Sequence, residues 1–286
     1  MPKTFILGVG AQRCGTTWLH RHLQEHPSVD LGFRKEYHVF DALHLDDEGI
    51  RRVFLQGRIN AVVGKPAREV TKADLALLRF LGDTELYFDY FAELLAARPH
   101  LLATGDITPS YSALPPAVLS SIRAGVLKRG LAIRAVFLMR DPVERCMSAV
   151  RLSFRRSGAT WTAEDEQRAL RANYDAPFQR LRTRYDLTIA NLEAAFADDE
   201  IALFFYEELF TPAAMERLHR HLSLDPVPAA FDRAANASGT RHAIEDGLRQ
   251  EVFLAYADVY RFVAARFGEA RVAALWDSFR RFGHLL

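Results

Sequence analysis

Short runs of consecutive apolar residues alternate along the chain with longer stretches in which apolar positions recur every three or four residues. The short runs are rich in β-branched residues and phenylalanine, the pattern of strands buried on both faces, and they predict strands at 4–9, 29–32, 102–105, 133–139 and 201–205. The longer stretches predict helices over 16–26, stopped by Pro27; 143–156, opened by Pro142; 185–196; and 213–222 after Pro212. A broken helical region is expected from 245 to 282, whereas 46–72 has a weak pattern and reads as loop with a short helix. Together these elements predict a single α/β domain over residues 1–286, a three-layer fold with a five-stranded parallel sheet flanked by helices.

Composition narrows the function classes. Lys+Arg number 37 against 36 Asp+Glu, a formal charge of +1, so the chain-wide basic field that drives non-specific nucleic-acid binding is lacking and any anion site must be local. Two cysteines, Cys14 and Cys146, are too few for a disulfide framework and have no metal-site spacing. With no apolar run near the roughly 20 residues that span a bilayer, and no cleavable leader pattern, a cytoplasmic protein is expected.

The first predicted strand runs into Gly8-Val9-Gly10-Ala11-Gln12-Arg13-Cys14-Gly15-Thr16-Thr17-Trp18-Leu19, a glycine-bearing turn that opens a helix. Such a P-loop-like turn aims backbone N–H groups and the positive helix end at an anion. The dinucleotide pattern G-x-G-x-x-G fails here because Arg13 stands at its third glycine. The Walker pattern fits from Gly10 to Gly15, but Thr16 replaces its lysine, and the cation has moved into the loop at Arg13. The fourth predicted strand leads into Arg140-Asp141-Pro142-Val143-Glu144-Arg145-Cys146-Met147-Ser148, where a guanidinium at a strand end and a hydroxyl two helical turns on suit a phosphate monoester.

These two segments resemble the 5′-phosphosulfate loop and the 3′-phosphate motif of sulfotransferases that use 3′-phosphoadenosine 5′-phosphosulfate (PAPS), in the heparan-type and bacterial sulfotransferase-like group. Three further segments share the resemblance. Lys35-Glu36-Tyr37-His38-Val39-Phe40-Asp41 is similar to a K-E-x-H-x-F-D segment, Asp106-Ile107-Thr108-Pro109-Ser110-Tyr111 to [ED]-x-[ST]-P-x-Y, and Ser238-Gly239-Thr240-Arg241-His242 to a late K-G-R-x-H loop. The resemblance implies transfer of a sulfuryl group from PAPS to an acceptor hydroxyl, on a carbohydrate, phenol or other small alcohol. Glu36 would be the general base, Arg13 would stabilise the leaving phosphate, and His38 would support the base. Arg13, Cys14, Gly15, Thr16, Thr17, Trp18, Arg140, Ser148, Gly239 and Arg241 would hold the nucleotide; Lys35, Asp41 and Tyr111 would face the acceptor. No metal would be required. Thr17 and Ile107 stand where glucosaminyl enzymes carry cations, which points away from a heparan-like acceptor.

Two other readings compete. A P-loop kinase would need Asp106 as its metal ligand, and a non-catalytic nucleotide- or glycan-binding module would keep the cradle without turnover. His22-Leu23-Gln24-Glu25-His26 also fits a zinc-protease pattern, expected on an exposed helix end without a third ligand. Trp161 is expected either at the acceptor cleft or as a helix staple.

Overall fold

The computed structural model describes residues 2–158, 160–231 and 242–286. Five parallel strands, β1 (Thr4–Gly10), β2 (Val29–Asp30), β3 (Ala103–Ile107), β4 (Ala132–Met139) and β5 (Ile201–Phe205), form one sheet in the order β2-β3-β1-β4-β5. Strand β1 is buried along its whole length because β3 and β4 pair with its two edges and helices cover both faces. Its carboxyl end is a topological switch point. The chain leaves β1 toward β2 and β3 on one side and then crosses to β4 on the other, opening the crevice where open α/β sheets take ligands.

The predicted strands and helices occur with boundary shifts of one or two residues, β2 being the shortest. The interval expected to be loop with a short helix is different. A 16-residue helix covers Glu48–Val63, started by Asp47, whose side chain accepts from the Ile50 N–H, and an 11-residue helix with a Thr71–Asp74 capping box covers Lys72–Gly82. The longer helix buries only Ile50 and Val62 fully, so its apolar period is faint, and its cap carried the better signal.

Two aromatic clusters flank the sheet. Tyr37, Phe40, Phe80, Tyr87 and Phe91 pack edge-to-face beside β3, and Tyr185, Phe205, Tyr260 and Trp276 pack beside β4 and β5.

Candidate active site

The turn after β1 is the candidate anion cradle. Gly15 caps the helix Thr16–Gln24 with φ of 94°, and a Cβ there would come within 2.9 Å of Leu209 and 3.2 Å of Tyr206, so only glycine fits. The first-turn amides of Thr16, Thr17 and Trp18 have no intrahelical carbonyl to bond, since the first such bond runs from Leu19 N–H to Gly15 C=O. Arg13 holds a left-handed backbone, φ 71°. Its Nε donates to Ser148 Oγ at 3.0 Å. Burial, together with the charges of Arg155 and Arg140, lowers the Arg13 pKa to about 10, still well above neutrality.

Not every loop residue presents its side chain. Cys14 is fully buried, its thiol pushed up to about 11 by burial and facing the Gln12 carbonyl and the Tyr185 hydroxyl, so it can offer a ligand only backbone. Trp18 is buried between His22 and Phe231, and its indole N–H donates to the Ala230 carbonyl at 3.2 Å.

Arg140 leaves the end of β4 over the Tyr206 ring, 4.6 Å from its centroid, and 3.7 Å from Glu144. Asp141 caps the following helix, Pro142–Ser157, by accepting from Val143 N–H, and also accepts from Tyr260 and Ser278. This fixes the helix so that Ser148 faces Arg13, and the two basic motifs share one surface.

The segment after β2 is held by every second residue. Tyr37 N–H donates to Thr108 Oγ1 and Val39 N–H to the Tyr111 hydroxyl, turning Tyr37 and Val39 into the core and Glu36 and His38 outward. Thr108, Tyr111 and Tyr87 in turn donate to buried Asp106. Tyr111, expected from sequence to face the acceptor, therefore does not face a cleft. It is fully buried with its hydroxyl both donating and accepting, and it positions the Glu36 segment from behind. Asp106, with three hydroxyl donors, has no open side for a metal ion.

Glu36, His38 and Asp41 form a line. His38 donates from Nδ1 to Asp41 Oδ2 at 2.6 Å and from Nε2 to Glu36 Oε2 at 3.2 Å, and Asp41 also accepts from Ser110. Burial works against the charge on His38, but hydrogen bonds to Asp41 and Glu36 outweigh it and raise its pKa to about 9. Burial likewise works against the Glu36 charge. The hydrogen bond from His38, then the charge and hydrogen bond of Lys35, prevail and lower it to about 2. Asp41 is completely buried, so it orients His38 rather than meeting an acceptor.

Lys35 joins this line to the cradle, its Nζ donating to Glu36 Oε1 at 2.6 Å and to Thr17 Oγ1 at 2.9 Å. The glutamate is thus one ammonium group away from the first turn of the loop helix. Sequence reasoning missed His20, whose pKa falls to about 4 through burial and the neighbouring Lys35, and it missed Arg58 and Arg182, which feel the charges of Glu36 and Asp41 from two other helical segments. His20 lies one helical turn after Thr17, a spacing that could have flagged it.

The remaining candidates fall elsewhere. Gly239 and Arg241 lie outside the described residues. His22 and His26 are buried, not exposed: His22 shares a hydrogen bond with His219 at 2.9 Å, and His26 uses both ring nitrogens, on the Ser28 N–H and the Asp225 carbonyl. Among the described residues no group of three or more side chains could hold a metal ion. Trp161 stacks on Phe154 and donates to Glu166, the partner of Arg151, which is the staple-like role. A hollow of about 480 Å³, lined by Glu164, Arg168 and Glu245 among others, contains none of the motif residues.

No protein-family model and no curated protein matches the chain. Among solved structures it is similar to a sulfotransferase from Alicyclobacillus acidocaldarius, with a TM-score of 0.55 and 18% identity over 93% of this chain and 95% of that one. A sulfotransferase domain from the curacin biosynthetic pathway gives a TM-score of 0.43 at 20% identity, covering 80% of this chain and 76% of that one. The sulfotransferase STF9 from Mycobacterium avium gives 0.39 at 15% identity, covering 90% and 76%. The first of these carries the fold: the chain has the α/β architecture of a solved sulfotransferase.

Proposed function

We propose that the protein transfers a sulfuryl group from PAPS to an acceptor hydroxyl. The observation that carries this reading is the Lys35 bridge, which sets the ionised carboxylate of Glu36 beside an anion cradle. The cradle fits the donor. The Thr16 and Thr17 amides lack helical partners, Arg13 in the same loop bonds Ser148, and Arg140 and Ser148 would meet the second phosphate that distinguishes a 3′-phosphonucleotide. The donor supplies an electrophilic sulfur and a phosphate leaving group.

The residues then divide the work. Glu36 accepts the acceptor's proton as the acceptor oxygen bonds to sulfur, while the bridging S–O bond breaks and its electron pair remains on the phosphate oxygen beside Arg13. His38 and Asp41 hold Glu36 in place, and Lys35 sits between base and cradle, next to where charge shifts during transfer. The kinase alternative loses its support because Asp106 is enclosed by Thr108, Tyr111 and Tyr87.

Incubation with ³⁵S-labelled PAPS and a panel of glycan, phenol and alkyl alcohol acceptors, with and without EDTA, tests this. Label is expected in at least one acceptor, with the chelator making no difference. Phosphate transfer from ATP, or turnover that EDTA abolishes and Mg²⁺ restores, would overturn it.

A further inference from the structure

We infer that the acceptor carries an anionic group beside its reactive hydroxyl, held by Arg58 and Arg182. This rests on the sulfuryl-transfer reading for the identity of the hydroxyl, but its observations are separate. Phe54, on the helix Glu48–Val63, stacks on His38 with centroids 5.2 Å apart, and its ring meets Phe178 at 6.1 Å. Each phenylalanine is followed four residues later by an arginine. Arg58 stands one turn after Phe54, and Arg182, capping the helix Pro177–Leu181, lies 5.2 Å over the Phe178 ring. Phe54 thus borders the histidine that supports Glu36, Phe178 and Arg182 extend from it, and both arginines feel the charges of Glu36 and Asp41.

These arginines differ from others in the chain. Arg123, Arg129, Arg151 and Arg184 each close onto a carboxylate. Among the described residues, Arg58 and Arg182 have no carboxylate partner, and the Nε of each is buried without a hydrogen bond. Burying a guanidinium N–H unpaired is costly unless something else meets it. Arg145, behind Arg182, leaves two further nitrogens unpartnered. Burial lowers the pKa of both arginines, with Arg34 acting on Arg58, and Arg145 then Arg156 on Arg182, so local cations crowd one another. The negative charges felt at both positions are Glu36 and Asp41, already bound to Lys35 and His38. A carboxylate, sulfate or phosphate on the acceptor would relieve this excess, with the Phe54 and Phe178 rings covering the face of a sugar or aromatic ring.

The test compares matched ligands by calorimetry on enzyme saturated with 3′-phosphoadenosine 5′-phosphate (PAP), which keeps anions out of the donor cradle. Methyl glucuronide is set against methyl glucoside, and 4-hydroxybenzoate against 4-hydroxybenzyl alcohol, so that a sugar acid and an aryl acid are distinguished. At least one acid is expected to bind at least about tenfold tighter than its neutral partner. Added salt should weaken the acid alone, and the Arg58→Gln, Arg182→Gln double variant should lose the preference while keeping its PAP affinity. The wild-type comparison and its salt dependence stand even where the variant fails to fold. Equal binding of acid and neutral partner, no binding of either acid at 10-millimolar order, or a preference that survives in the double variant would overturn the inference. If PAP itself fails to bind, the sulfuryl-transfer reading falls instead, and the same pairs measured without nucleotide still decide the role of the arginines.

Discussion

The Arg13 guanidinium donates through Nε to Ser148 Oγ at 3.0 Å, joining two motifs that stand 135 residues apart in the chain. Ser148 faces Arg13 because the helix that carries it begins at the carboxyl end of β4, next to β1 in the sheet. A ligand bridging both motifs would reach the 5′ side through Arg13 and the 3′ side through Arg140 and Ser148. This geometry makes nucleotide selectivity measurable without knowing the acceptor.

PAP is therefore expected to bind far more tightly than AMP, which lacks the 3′-phosphate. Charge-assisted hydrogen bonds contribute about 1.5–3 kcal/mol each, so Arg140→Ala should weaken PAP at least about tenfold and AMP little. Ser148→Ala should have a smaller effect of the same kind, since it also frees Arg13. Titration calorimetry with the two nucleotides decides this, and equal affinities would remove Arg140 and Ser148 from the donor site.

Tyr111 offers a stability test that separates a buried support from a cleft residue. Replacing it by Phe leaves the Val39 N–H without its acceptor and Asp106 without one of its donors. A buried donor stripped of its partner costs about 1–3 kcal/mol. Tyr111→Phe should therefore lower the urea midpoint by a corresponding amount while acceptor KM stays within about twofold, as expected for a residue without substrate contact. A large change in KM with stability intact would return the hydroxyl to the acceptor site.

How much of this was legible follows from where each signal resides. The strand cores and the two candidate phosphate motifs are local in sequence, so β1, its turn and the Arg140–Ser148 helix could be placed with small boundary errors. Glu36, His38 and Asp41 were singled out by resemblance, but their arrangement as a hydrogen-bonded line, with a left-handed backbone at His38, φ 54°, is something no residue pattern announces. Tyr111 was misplaced because a tyrosine after T-P reads the same whether its hydroxyl meets solvent or Asp106. Arg58 and Arg182 were invisible for another reason. They come from a long helix in the interval read as loop with a short helix and from the cap of a five-residue helix, and their significance lies in the carboxylates they lack.

The pH dependence should be set by His38 rather than Glu36. The His38 pKa is raised from 6.5 to about 9, so the stabilisation it gives as a cation is complete below 6.5 and is lost as pH rises through about 9. Glu36 is lowered from 4.5 to about 2, so its contribution is present above 4.5 and is lost only as pH falls through about 2. Activity should be level between those limits and decline above pH of about 9, with the decline moving to lower pH in Asp41→Asn, which removes the strongest hydrogen-bond support for the charged imidazole. A pH–rate profile of both proteins checks this. An acid limb near the usual carboxylate range would mean that Glu36 is not the group held by Lys35 and His38.

Glu36 is the residue whose loss should separate chemistry from binding. Glu36→Gln keeps the side-chain volume and can still accept from Lys35 or His38, but it cannot take a proton from an attacking hydroxyl. The Arg13–Ser148 contact and the loop-helix amides do not involve it, so PAP affinity should remain within about twofold. A positioned general base contributes about 10²–10⁴-fold, and kcat with the true acceptor should fall by that order. Loss of kcat with little change in nucleotide affinity is the pattern of an interaction made only in the transition state. The low pKa of Glu36 adds a further expectation. A carboxylate ionised down to about 2 is a weak base while Lys35 and His38 both hold it, so Lys35→Met should raise its proton affinity even as it removes the bridge to Thr17. In Lys35→Met an acid limb should therefore emerge at higher pH than in the wild type, and the Lys35→Met, Glu36→Gln double variant should lack it. A Glu36→Gln enzyme that turns over like the wild type would place the base elsewhere, and His38, the other titrating group of the line, would then be the next residue to replace.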